Sequence, residues 1–395
     1  MTAPRPLDGF RVLDFGRYVA GPLCAAMLGD LGADVIRVDR VGGSEDRHLM
    51  PLGGEGNGAM FLEVNRNKRG ITLDPTGEAG AAVLRRLLAT VDVVVANLPD
   101  GALRRMGIDA ASLEAIDPRI VLTTVSAFGD AGPWAERPGF DAVGQVMSGA
   151  AHLSGGPGAP VKSYVQWVDF ASATMAALGT VAALWDRERT GRGGTVEGSL
   201  LGTALAIAAP VLAEQAVLGC DRVPTGNRAQ VAAPADVFAT RDGWIVVQVV
   251  GNAQFRRWAA LVEETAWSED PRFGDDAGRG DHADLLCGRM AEWCQERSTA
   301  AALDDLAEAG IPAGPVLTPR QALTHPQVSA LDIFEEMTIP GAGEVPVAAL
   351  PLSFDGSIPR PRRRPPTIGE HTDEVLTEVG YSRAEVADLR RRGVV

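Results

Sequence analysis

Asp169 stands at the start of a long apolar segment, where an acid is able to act in two ways. Residues 170–185 contain no charged side chain, which predicts a buried helix. An aspartate at such a helix start commonly caps the free backbone amides. The positive end of the helix also keeps a carboxylate ionised, and an ionised carboxylate can attack a thioester or another activated acyl group. The pattern leaves both roles open.

A second group of residues that could bind a ligand is positively charged. Its members lie near the ends of predicted strands, where an open α/β sheet binds its ligand. Each of them is equally well read as a solvated surface charge, but together they favour a phosphorylated ligand. The group consists of Arg37, Arg40, Arg66, Lys68, Arg69, Arg104 and Arg105.

Common cofactor and nucleophile motifs are missing from the sequence. The glycine-bearing turn after the first predicted strand reads GRYVAG over Gly16 to Gly21, which lacks the close backbone approach that GxGxxG gives to a dinucleotide. No GxxxxGK[ST], HExxH or GxSxG occurs. These absences argue against a nicotinamide cofactor, a P-loop, a zinc protease and a serine hydrolase.

The amino-acid composition, and above all the net charge, limits the kinds of molecule that the protein can bind. The 395 residues include 37 basic and 51 acidic side chains, for a formal charge of -14. Nucleic-acid binding needs a basic surface, so no nucleic-acid partner is expected. Hydrophobic residues make up 46% and charged residues 22% of the chain, which is typical of a folded globular protein.

The cysteines indicate the cellular compartment, and the lengths of the apolar segments indicate whether the chain could span a membrane. The four cysteines show neither a disulfide framework nor metal-ligand spacing, so a reduced cytoplasmic protein with no metal is expected. The uncharged apolar stretch Leu200 to Ala213 is shorter than a membrane span and contains Pro210. Residues 170–185 are also short for a span, and no membrane role is predicted.

The elements that must position these residues follow an alternating strand and helix pattern. Apolar runs predict strands at 11–15, 34–38, 71–73, 91–95 and 120–125. Helical spacing follows the first run, and Thr76 is predicted to cap a helix that ends near Ala89. Strands that are apolar throughout are buried on both faces. The first 130 residues therefore predict an α/β fold with a doubly wound parallel sheet.

The middle of the chain has a different character. Residues 237–240 and 244–250 flank Arg241-Asp-Gly243, which is typical of a β-hairpin. Helices are predicted at about 253–264, 283–295 and 299–309. This region reads as a smaller α+β domain over 225–330. The proline- and arginine-rich stretch 359–366 reads as a linker, because a helix is predicted again at 371–379.

The chain resembles the class III CoA-transferases, the CaiB/BaiF group that includes formyl-CoA and carnitine CoA-transferases and the 2-methylacyl-CoA racemases. The resemblance covers nearly the whole length. It rests on PLDGFRVLDFGRYVAGP (6–22), LGDLGADVIRVDR (28–40), NRNKRGITLD (65–74), DVVVANLPDGALRRMG (92–107), GRGGTVEGSL (191–200), DGWIVVQVVGNAQF (242–255), GIPAGPVLTP (310–319) and IGEHTDEVLTEVG (368–380).

The resemblance implies a domain plan and a reaction. A Rossmann-like large domain comprises 1–200 and is completed by 331–395, a linker helix covers 201–224, and the small α+β domain covers 225–330. Two subunits form an interlocked homodimer. CoA moves from an acyl-CoA to a carboxylic acid through aspartyl anhydride and aspartyl-CoA intermediates, so that CoA is a substrate and no resident cofactor is needed.

The resemblance also implies roles for individual residues. Asp169 occupies the position of the catalytic aspartate. Arg40 and Arg105 are the expected phosphate partners. The expected CoA contacts are Val19, Ala20, Arg40, Leu73, Asp74, Pro75, Thr76, Asn97, Leu98, Pro99, Arg105 and Arg137; the expected substrate pocket contains Tyr18, Phe140, Asp141 and Trp167.

Departures from the family pattern bear on the choice of reaction. The racemases have a His-Asp pair where this chain has Phe140-Asp141, and they have a Glu near the position of Asn252. Because Phe140 offers no base for abstracting an α-proton, racemisation is disfavoured. Formyl-CoA transferases have Gln in place of Val19 and a glycine-rich loop in place of 250–253, which speaks against formyl and oxalate. Three classes stay open: CoA transfer, racemisation, and CoA binding without catalysis.

An oxyanion formed during transfer would need hydrogen-bond donors. The glycine-rich stretches offer backbone amides, and those around Gly129 or Gly251 are the candidates.

Overall fold

The computed structural model describes residues 5–54, 56–156 and 158–395. It separates into two compact units. The first contains the described residues of Met1–Ser148, Ser163–Ala209 and Ile333–Val395; the second contains those of Gly149–Lys162 and Pro210–Asp332. The domain plan inferred from the sequence places 149–162 in the large domain, whereas the structure groups these residues with the second unit. Each unit has its own core.

The strands are numbered in chain order: β1 (Arg11–Asp14), β2 (Asp34–Asp39), β3 (Lys68–Thr72), β4 (Val93–Ala96), β5 (Val121–Ser126), β6 (Gly194–Ser199), β7 (Ala235–Ala239), β8 (Trp244–Gln248), β9 (Ala313–Pro315), β10 (Phe334–Ile339) and β11 (Gly343–Ala348).

The α-helices are α1 (Ala20–Asp30), α2 (Ala59–Val64), α3 (Glu78–Leu88), α4 (Asp100–Met106), α5 (Ala110–Ile116), α6 (Asp141–Met147), α7 (Ala150–Leu153), α8 (Trp167–Thr190), α9 (Leu200–Leu218), α10 (Asn252–Leu261), α11 (Asp276–Asp281), α12 (Ala283–Gln295), α13 (Thr299–Glu308), α14 (Pro319–Thr324), α15 (Pro326–Leu331), α16 (Thr372–Glu378) and α17 (Arg383–Arg391). Short 3-10 turns cover Glu45–His48, Thr265–Glu269 and Pro271–Phe273.

A parallel sheet organises the first unit. Among the described residues, β1 to β6 pair in the order β3-β2-β1-β4-β5-β6, with every pairing parallel. This is the strand order of doubly wound sheets that bind nucleotide-type ligands at the carboxyl ends of their strands. The predicted parallel sheet is confirmed. Its sixth strand, β6, was not predicted, because GTVEGS is glycine-rich and lacks an apolar run.

Alternate residues of the strands enter two separate cores. Leu13, Ile36 and Val94 pack with α3, α16 and α17 on one side. Their chain neighbours Val12, Val35 and Val93 pack with α1 and α8 on the other side. Because successive side chains of a strand point to opposite faces, both faces of the sheet are buried, and this explains why the strands read as continuous apolar runs.

Two details of the first unit correct the sequence predictions. Helix α3 is capped at Gly77, one residue after the predicted cap, because the hydroxyl and amide of Thr76 both donate to Oδ1 of Asp74 instead, over 2.6 and 3.0 Å. The antiparallel hairpin of β10 and β11 was not predicted. Its inner face packs on Phe61 and Leu62 of α2, a contact between distant parts of the chain.

The second unit is an α+β structure. Strands β7, β8 and β9 form an antiparallel sheet within the described residues, and the predicted hairpin is confirmed. Its core collects Phe238 and Ile245 from the sheet with Trp258, Met290 and Leu306 from α10, α12 and α13.

Two long apolar helices differ in how much of their surface is covered. By length and composition alone, α8 and α9 are the helices among the described residues that could span a membrane. The most apolar window of α8 is 44% buried, but that of α9 is only 11% buried. The sequence had suggested segments too short for a span. The observed helices have 24 and 19 residues because their flanking polar residues are helical as well.

Candidate active site

A pocket of about 460 Å³ opens at the carboxyl ends of β1, β4 and β5. It lies entirely within the first unit. This is the edge at which parallel α/β sheets place their ligands. The lining residues are Arg17, Tyr18, Val19, Ala20, Arg40, Glu45, Asn97, Leu98, Pro99, Asp100, Val125, Ser126, Ala127, Asp130, Ala135, Glu136, Arg137, Pro138, Gly139, Phe140, Asp169 and Leu200.

The turn between β1 and α1 forms one wall and is held in a fixed conformation. Tyr18 adopts a positive φ of 62°, which is costly for a residue with a side chain. Its amide donates to Asp46 over 3.1 Å. The Arg17 amide donates to Asn97 over 2.7 Å, and Asn97 donates back to the Arg17 carbonyl over 2.8 Å. A Cβ on Gly16 would lie 2.5 Å from Pro22, so the turn needs glycine there.

Most of the predicted cation group is used inside the protein rather than in the pocket. Lys68 pairs with Asp14 over 2.7 Å, and Arg37 pairs with both Asp39 and Asp46 over 2.9 Å, all at full or nearly full burial. Arg66 and Arg69 likewise pair with carboxylates over 2.7 and 2.6 Å. The expectation that these four bind a phosphate is wrong, because their charges are already neutralised.

Arg40 and Arg137 remain as exposed cations in the lining. The Arg40 side chain is 67% exposed and lies 3.4 Å from Glu45. The Arg137 guanidinium stacks 4.2 Å from the centre of the Trp134 ring. Exposed ion pairs of this kind are weak, so Arg40 is available to exchange Glu45 for a phosphate.

Asp169 is not the cap of its helix. It is the third residue of α8, and the free amides of Val168 and Asp169 donate to Oδ1 of Asp141 over 2.8 and 3.0 Å. The other oxygen of Asp141 accepts from Gln145. Asp141 therefore performs the capping role, from a different helix, that the sequence had offered as one reading of Asp169.

The carboxylate of Asp169 is free to react. No side-chain hydrogen bond or ion pair to it occurs within the described residues, although it is only 9% exposed. Burial, and secondarily the nearby charge of Asp141, raise the pKa of Asp169 to about 7. The expectation that the helix end keeps this acid fully ionised is therefore corrected: near neutral pH Asp169 is a mixture of acid and carboxylate.

This pKa predicts the pH dependence of the reaction. On the nucleophile role that the resemblance implies for Asp169, only the carboxylate form reacts, so kcat/KM for an acyl-CoA is expected to rise with pH through about 7 and to level off above it. Below that point the rate falls about tenfold for each pH unit. Initial rates between pH 5.5 and 8.5, with folding checked by circular dichroism at each pH, measure this. A flat profile across that range contradicts the assignment.

The structure brings together many of the residues implied by the resemblance. Within the lining lie Asp169, the expected CoA contacts Val19, Ala20, Arg40, Asn97, Leu98, Pro99 and Arg137, and the substrate-pocket residues Tyr18 and Phe140. The rings of Tyr18 and Phe140 meet edge to face at 5.2 Å.

Other implied residues lie outside this lining. Leu73 is buried in the core, and Asp74, Pro75, Thr76 and Arg105 do not border the pocket. Trp167 packs against the core on the α1 and α8 side of the sheet. The contact of these residues with CoA or substrate stays a prediction. Asp141 caps α8 and is not among the lining residues, and its contact with substrate also stays a prediction.

Arg17 is a lining residue that the sequence reasoning missed. It was set aside because the turn was read only for its glycine spacing. A signal was present: a charged residue in a tight turn directly after a buried strand points toward the ligand edge of a parallel sheet.

The proposed amide donors for an oxyanion are already engaged. The Gly129 amide donates to the Ser126 hydroxyl over 3.0 Å, and the Gly251 amide donates to Asp276 over 2.9 Å. Neither of these two amides is free to stabilise an oxyanion in this conformation, and a role for the other amides of the two stretches stays a prediction.

The fold and this site define an α/β protein with a buried, unpaired carboxylate at the ligand edge of a parallel sheet. The family model for CoA-transferase family III matches residues 7–372. The chain is 31% identical to the succinyl-CoA–D-citramalate CoA-transferase of Chloroflexus aurantiacus, covering 99% of this chain and 98% of that protein.

Further similarity is to the human succinyl-CoA:glutarate CoA-transferase, at 29% identity over 100% of this chain and 91% of the relative. The crystal structure of a CaiB/BaiF family protein from Brucella suis superposes with a TM-score of 0.82 at 31% identity, covering 95% of this chain and 100% of that one. The chain belongs to CoA-transferase family III, and it is an enzyme of this class.

Proposed function

We propose that this enzyme transfers CoA from an acyl-CoA thioester to a carboxylic acid, with Asp169 as the covalent nucleophile. The observation that carries the proposal is the state of Asp169: its carboxylate is buried, lines the pocket and has no protein partner among the described residues. A cap or a structural acid would be hydrogen-bonded, as Asp141 is. A buried carboxylate without a partner lowers the stability of the folded protein. Such a residue at a pocket therefore points to a chemical use.

The proposed steps conserve the energy of the thioester. The Asp169 carboxylate attacks the donor carbonyl and expels CoA thiolate, which leaves a mixed anhydride. The thiolate attacks the aspartyl carbonyl, releases the donor acid as a carboxylate and forms an aspartyl-CoA thioester. The acceptor carboxylate attacks that thioester to give a second anhydride and free thiolate. Attack of the thiolate on the acceptor acyl carbon yields the new acyl-CoA and restores Asp169.

The apolar residues of the lining suit an acyl group larger than formyl. Val19, Tyr18 and Phe140 provide apolar surface in the lining. Phe140 is 60% exposed in the empty pocket, so a bound acyl group would cover it. Racemisation is disfavoured at the same place, since neither Phe140 nor the amide-bonded Asp141 is placed to act as a free base.

The CoA part is proposed to enter along the N-terminus of α1, beside the exposed lining cations Arg40 and Arg137. Helix α1 begins at Ala20 without a side-chain cap, so its free amides and dipole favour a phosphate. Arg40 and Arg137 supply positive charge beside it.

Replacement of Arg40 tests this placement. Arg40→Ala is expected to raise KM for the acyl-CoA about five- to tenfold with little change in kcat, because a contact to a remote phosphate is made equally in the ground and transition states. Steady-state kinetics measure both constants. Arg391→Ala, an exposed arginine on α17, is the matched control. Arg105→Ala run in parallel decides whether the phosphate role implied for Arg105 holds; an unchanged KM in Arg40→Ala contradicts the placement.

Trapping of the acylated enzyme tests the function directly. Incubation with acyl-CoA followed by hydroxylamine converts an aspartyl thioester to a hydroxamate, and borohydride reduces it to an alcohol. Peptide mass spectrometry is expected to find the modification on Asp169 and on no peptide from protein treated without acyl-CoA. Failure to find any acyl-dependent modification there contradicts covalent catalysis and favours a CoA-binding protein without this chemistry.

We also propose that the enzyme acts as a homodimer whose subunits interlock. Apolar side chains remain exposed along α8 and α9: Met175 at 55%, Leu178 at 65% and Trp185 at 71% on α8, and Ile207 at 49% and Val217 at 80% on α9. Exposed apolar surface on this scale marks an interaction site, and a second copy of the chain is the partner that the family membership favours.

The dimer has a direct test. Light scattering after size exclusion, in buffer without detergent, is expected to give twice the chain mass of 41.4 kDa. Leu178→Glu is expected to shift the mass toward the monomer, because a charge on an apolar interface is costly. Arg189→Glu, at an exposed position of α8, controls for charge alone. A monomeric native protein contradicts the proposal, and extraction only with detergent would point to a membrane instead.

A further inference from the structure

The loop 127–140, which joins β5 to α6, brings Arg137 to the pocket lining. Arg137 is exposed, and no carboxylate among the described residues forms an ion pair with it. The two other cations of the lining are engaged with protein groups. Arg40 pairs with Glu45 over 3.4 Å, and Nη1 of Arg17 donates to two backbone carbonyls over 2.8 and 3.1 Å. Arg137 is therefore the lining cation whose N–H groups are most available to an anionic ligand.

An aromatic ring fixes the Arg137 guanidinium without using those N–H groups. The guanidinium carbon lies over the Trp134 ring, 4.2 Å from its centre, and the Arg137 amide donates to the Trp134 carbonyl over 2.9 Å. The ring attracts the cation through its π electrons. Because this contact uses the face of the guanidinium, the edge that carries the N–H donors remains free to form hydrogen bonds with a phosphate.

The Trp134 ring is held in turn by Phe128, which lies earlier in the same loop. The two rings meet edge to face, with centres 5.3 Å apart and an angle of 87° between their planes. A Cβ on Gly139 would lie 3.3 Å from the Phe128 ring and 2.8 Å from Cβ of Ala127, so the end of the loop packs closely on its beginning. The stack of Phe128, Trp134 and Arg137 thus ties the guanidinium to the carboxyl end of β5.

This stack has no part in the main packing of the protein. Neither Trp134 nor Phe128 belongs to one of the hydrophobic cores, and Trp134 is 37% exposed. Trp134 is also not among the residues that line the pocket, whereas Arg137 is. An effect of Trp134 on a ligand must therefore pass through Arg137. A free arginine side chain loses rotamer entropy when a ligand immobilises it, and the stack removes much of that loss beforehand.

We propose that Trp134 is a positioning residue that holds the Arg137 guanidinium in place for a phosphate of CoA, and so strengthens binding of CoA relative to pantetheine. The proposal rests on the CoA placement proposed above and names the residue that organises it. The phosphates of CoA are separated from the sulfur by the whole pantetheine arm. With the thioester at the buried Asp169, they lie toward exposed lining residues such as Arg137. Pantetheine carries no phosphate and gains nothing from the oriented guanidinium.

Calorimetric dissociation constants for CoA and for pantetheine test the proposal. Arg137→Met is expected to weaken CoA binding about five- to tenfold, and Trp134→Leu about two- to fivefold, the scale of one exposed cation–π contact. Trp134→Phe keeps an aromatic face and restores part of the loss. In the Arg137→Met background, Trp134→Leu is expected to have no further effect, because the two residues act as one unit. Pantetheine binding is expected to be the same in all these variants.

Trp244→Leu is the matched control, because Trp244 is an exposed tryptophan of β8 in the second unit; its CoA affinity should equal that of the wild type. An equal loss of CoA and pantetheine binding in Trp134→Leu overturns the proposal, since the residue would then act on the whole pocket. A loss of CoA affinity that persists in the Arg137→Met background overturns it too, and so does a Trp134→Phe protein with unchanged CoA affinity together with an unaffected Trp134→Leu protein.

These measurements need no turnover, so they are separate from the test of the transfer function. Acyl-dependent modification of Asp169 in Trp134→Leu, found by hydroxylamine trapping, would show that the chemistry is intact while CoA binding is weakened. A wild type that is acylated on Asp169 but binds CoA and pantetheine equally well overturns the positioning role and leaves the transfer function standing.

Discussion

Replacement of Asp169 is expected to remove transfer while leaving the CoA site in place. Asp169→Ala and Asp169→Asn should lower kcat by at least about three orders of magnitude, since no other carboxylate in the lining is buried at that position and loss of a covalent nucleophile has effects of this size. The dissociation constant for CoA, measured by calorimetry, should change little. Asp130→Asn, an exposed acid of the same lining, is the matched control and should keep its activity.

Asp169→Asn is also expected to change the pH dependence of the free energy of unfolding, which replacement of a hydrogen-bonded structural acid would not do in the same direction. The folded pKa of Asp169 is raised to about 7 from an ordinary value near 4. The folded state therefore binds this proton more tightly than the unfolded state, and stability is lost as pH rises from about 4 through 7. Asp169→Asn removes that loss, so it should raise the free energy of unfolding by about 2–4 kcal/mol at pH 8 and by little at pH 4.

Urea denaturation at the two pH values measures this difference. A destabilised Asp169→Asn protein at pH 8 would contradict the description of Asp169 as a buried charge. A variant that retains normal turnover would contradict its role as the nucleophile. An inactive but more stable variant is the combination that the proposed chemistry requires, because the wild type then keeps a costly buried acid for the reaction.

The second large effect is expected from the ionic network that supports the pocket turn. Lys68→Met removes the ion-pair partner of Asp14 at a site of 0% exposure. Removal of one partner of a buried pair costs about 3–5 kcal/mol, because the other charge stays desolvated. The Lys68 ammonium also donates to the carbonyl of Pro22 and to Asn65, over 2.7 and 2.8 Å, and these acceptors lose a donor too. Urea denaturation should show the full loss.

A double variant shows how much of that loss comes from charge. Asp14→Asn keeps an oxygen for the Gly16 amide, which donates to Asp14 over 2.7 Å, but removes the negative charge. Asp14→Asn/Lys68→Met should therefore be more stable than Lys68→Met alone by more than 1 kcal/mol. Arg391→Met, on the exposed face of α17, controls for loss of a cation. A Lys68→Met protein as stable as this control would refute the account of the network.

The local sequence by itself determined the α/β class and most of the elements. Runs such as Val93–Ala96 are apolar at every position because both faces of the sheet are covered, and this burial is visible without a structure. The apolar run after Asp169 likewise predicts α8. The motifs that resemble the CoA-transferases indicated the family and directed attention to Asp169, since they preserve order and spacing along the whole chain.

Only the tertiary structure decided how the charged residues are used. Arg37 and Lys68 look like ligand-binding cations in the sequence, but Arg37 pairs with Asp46 of a 3-10 turn as well as with Asp39 of its own strand, and Lys68 pairs with Asp14 of β1. Asp141 and Asp169 are two acids near one helix start, and only the packing of α6 against α8 makes the first a cap and leaves the second free. A charge is available to a ligand only when no partner brought near by folding neutralises it, and such a partner can lie far away in the chain, as Asp14 does from Lys68.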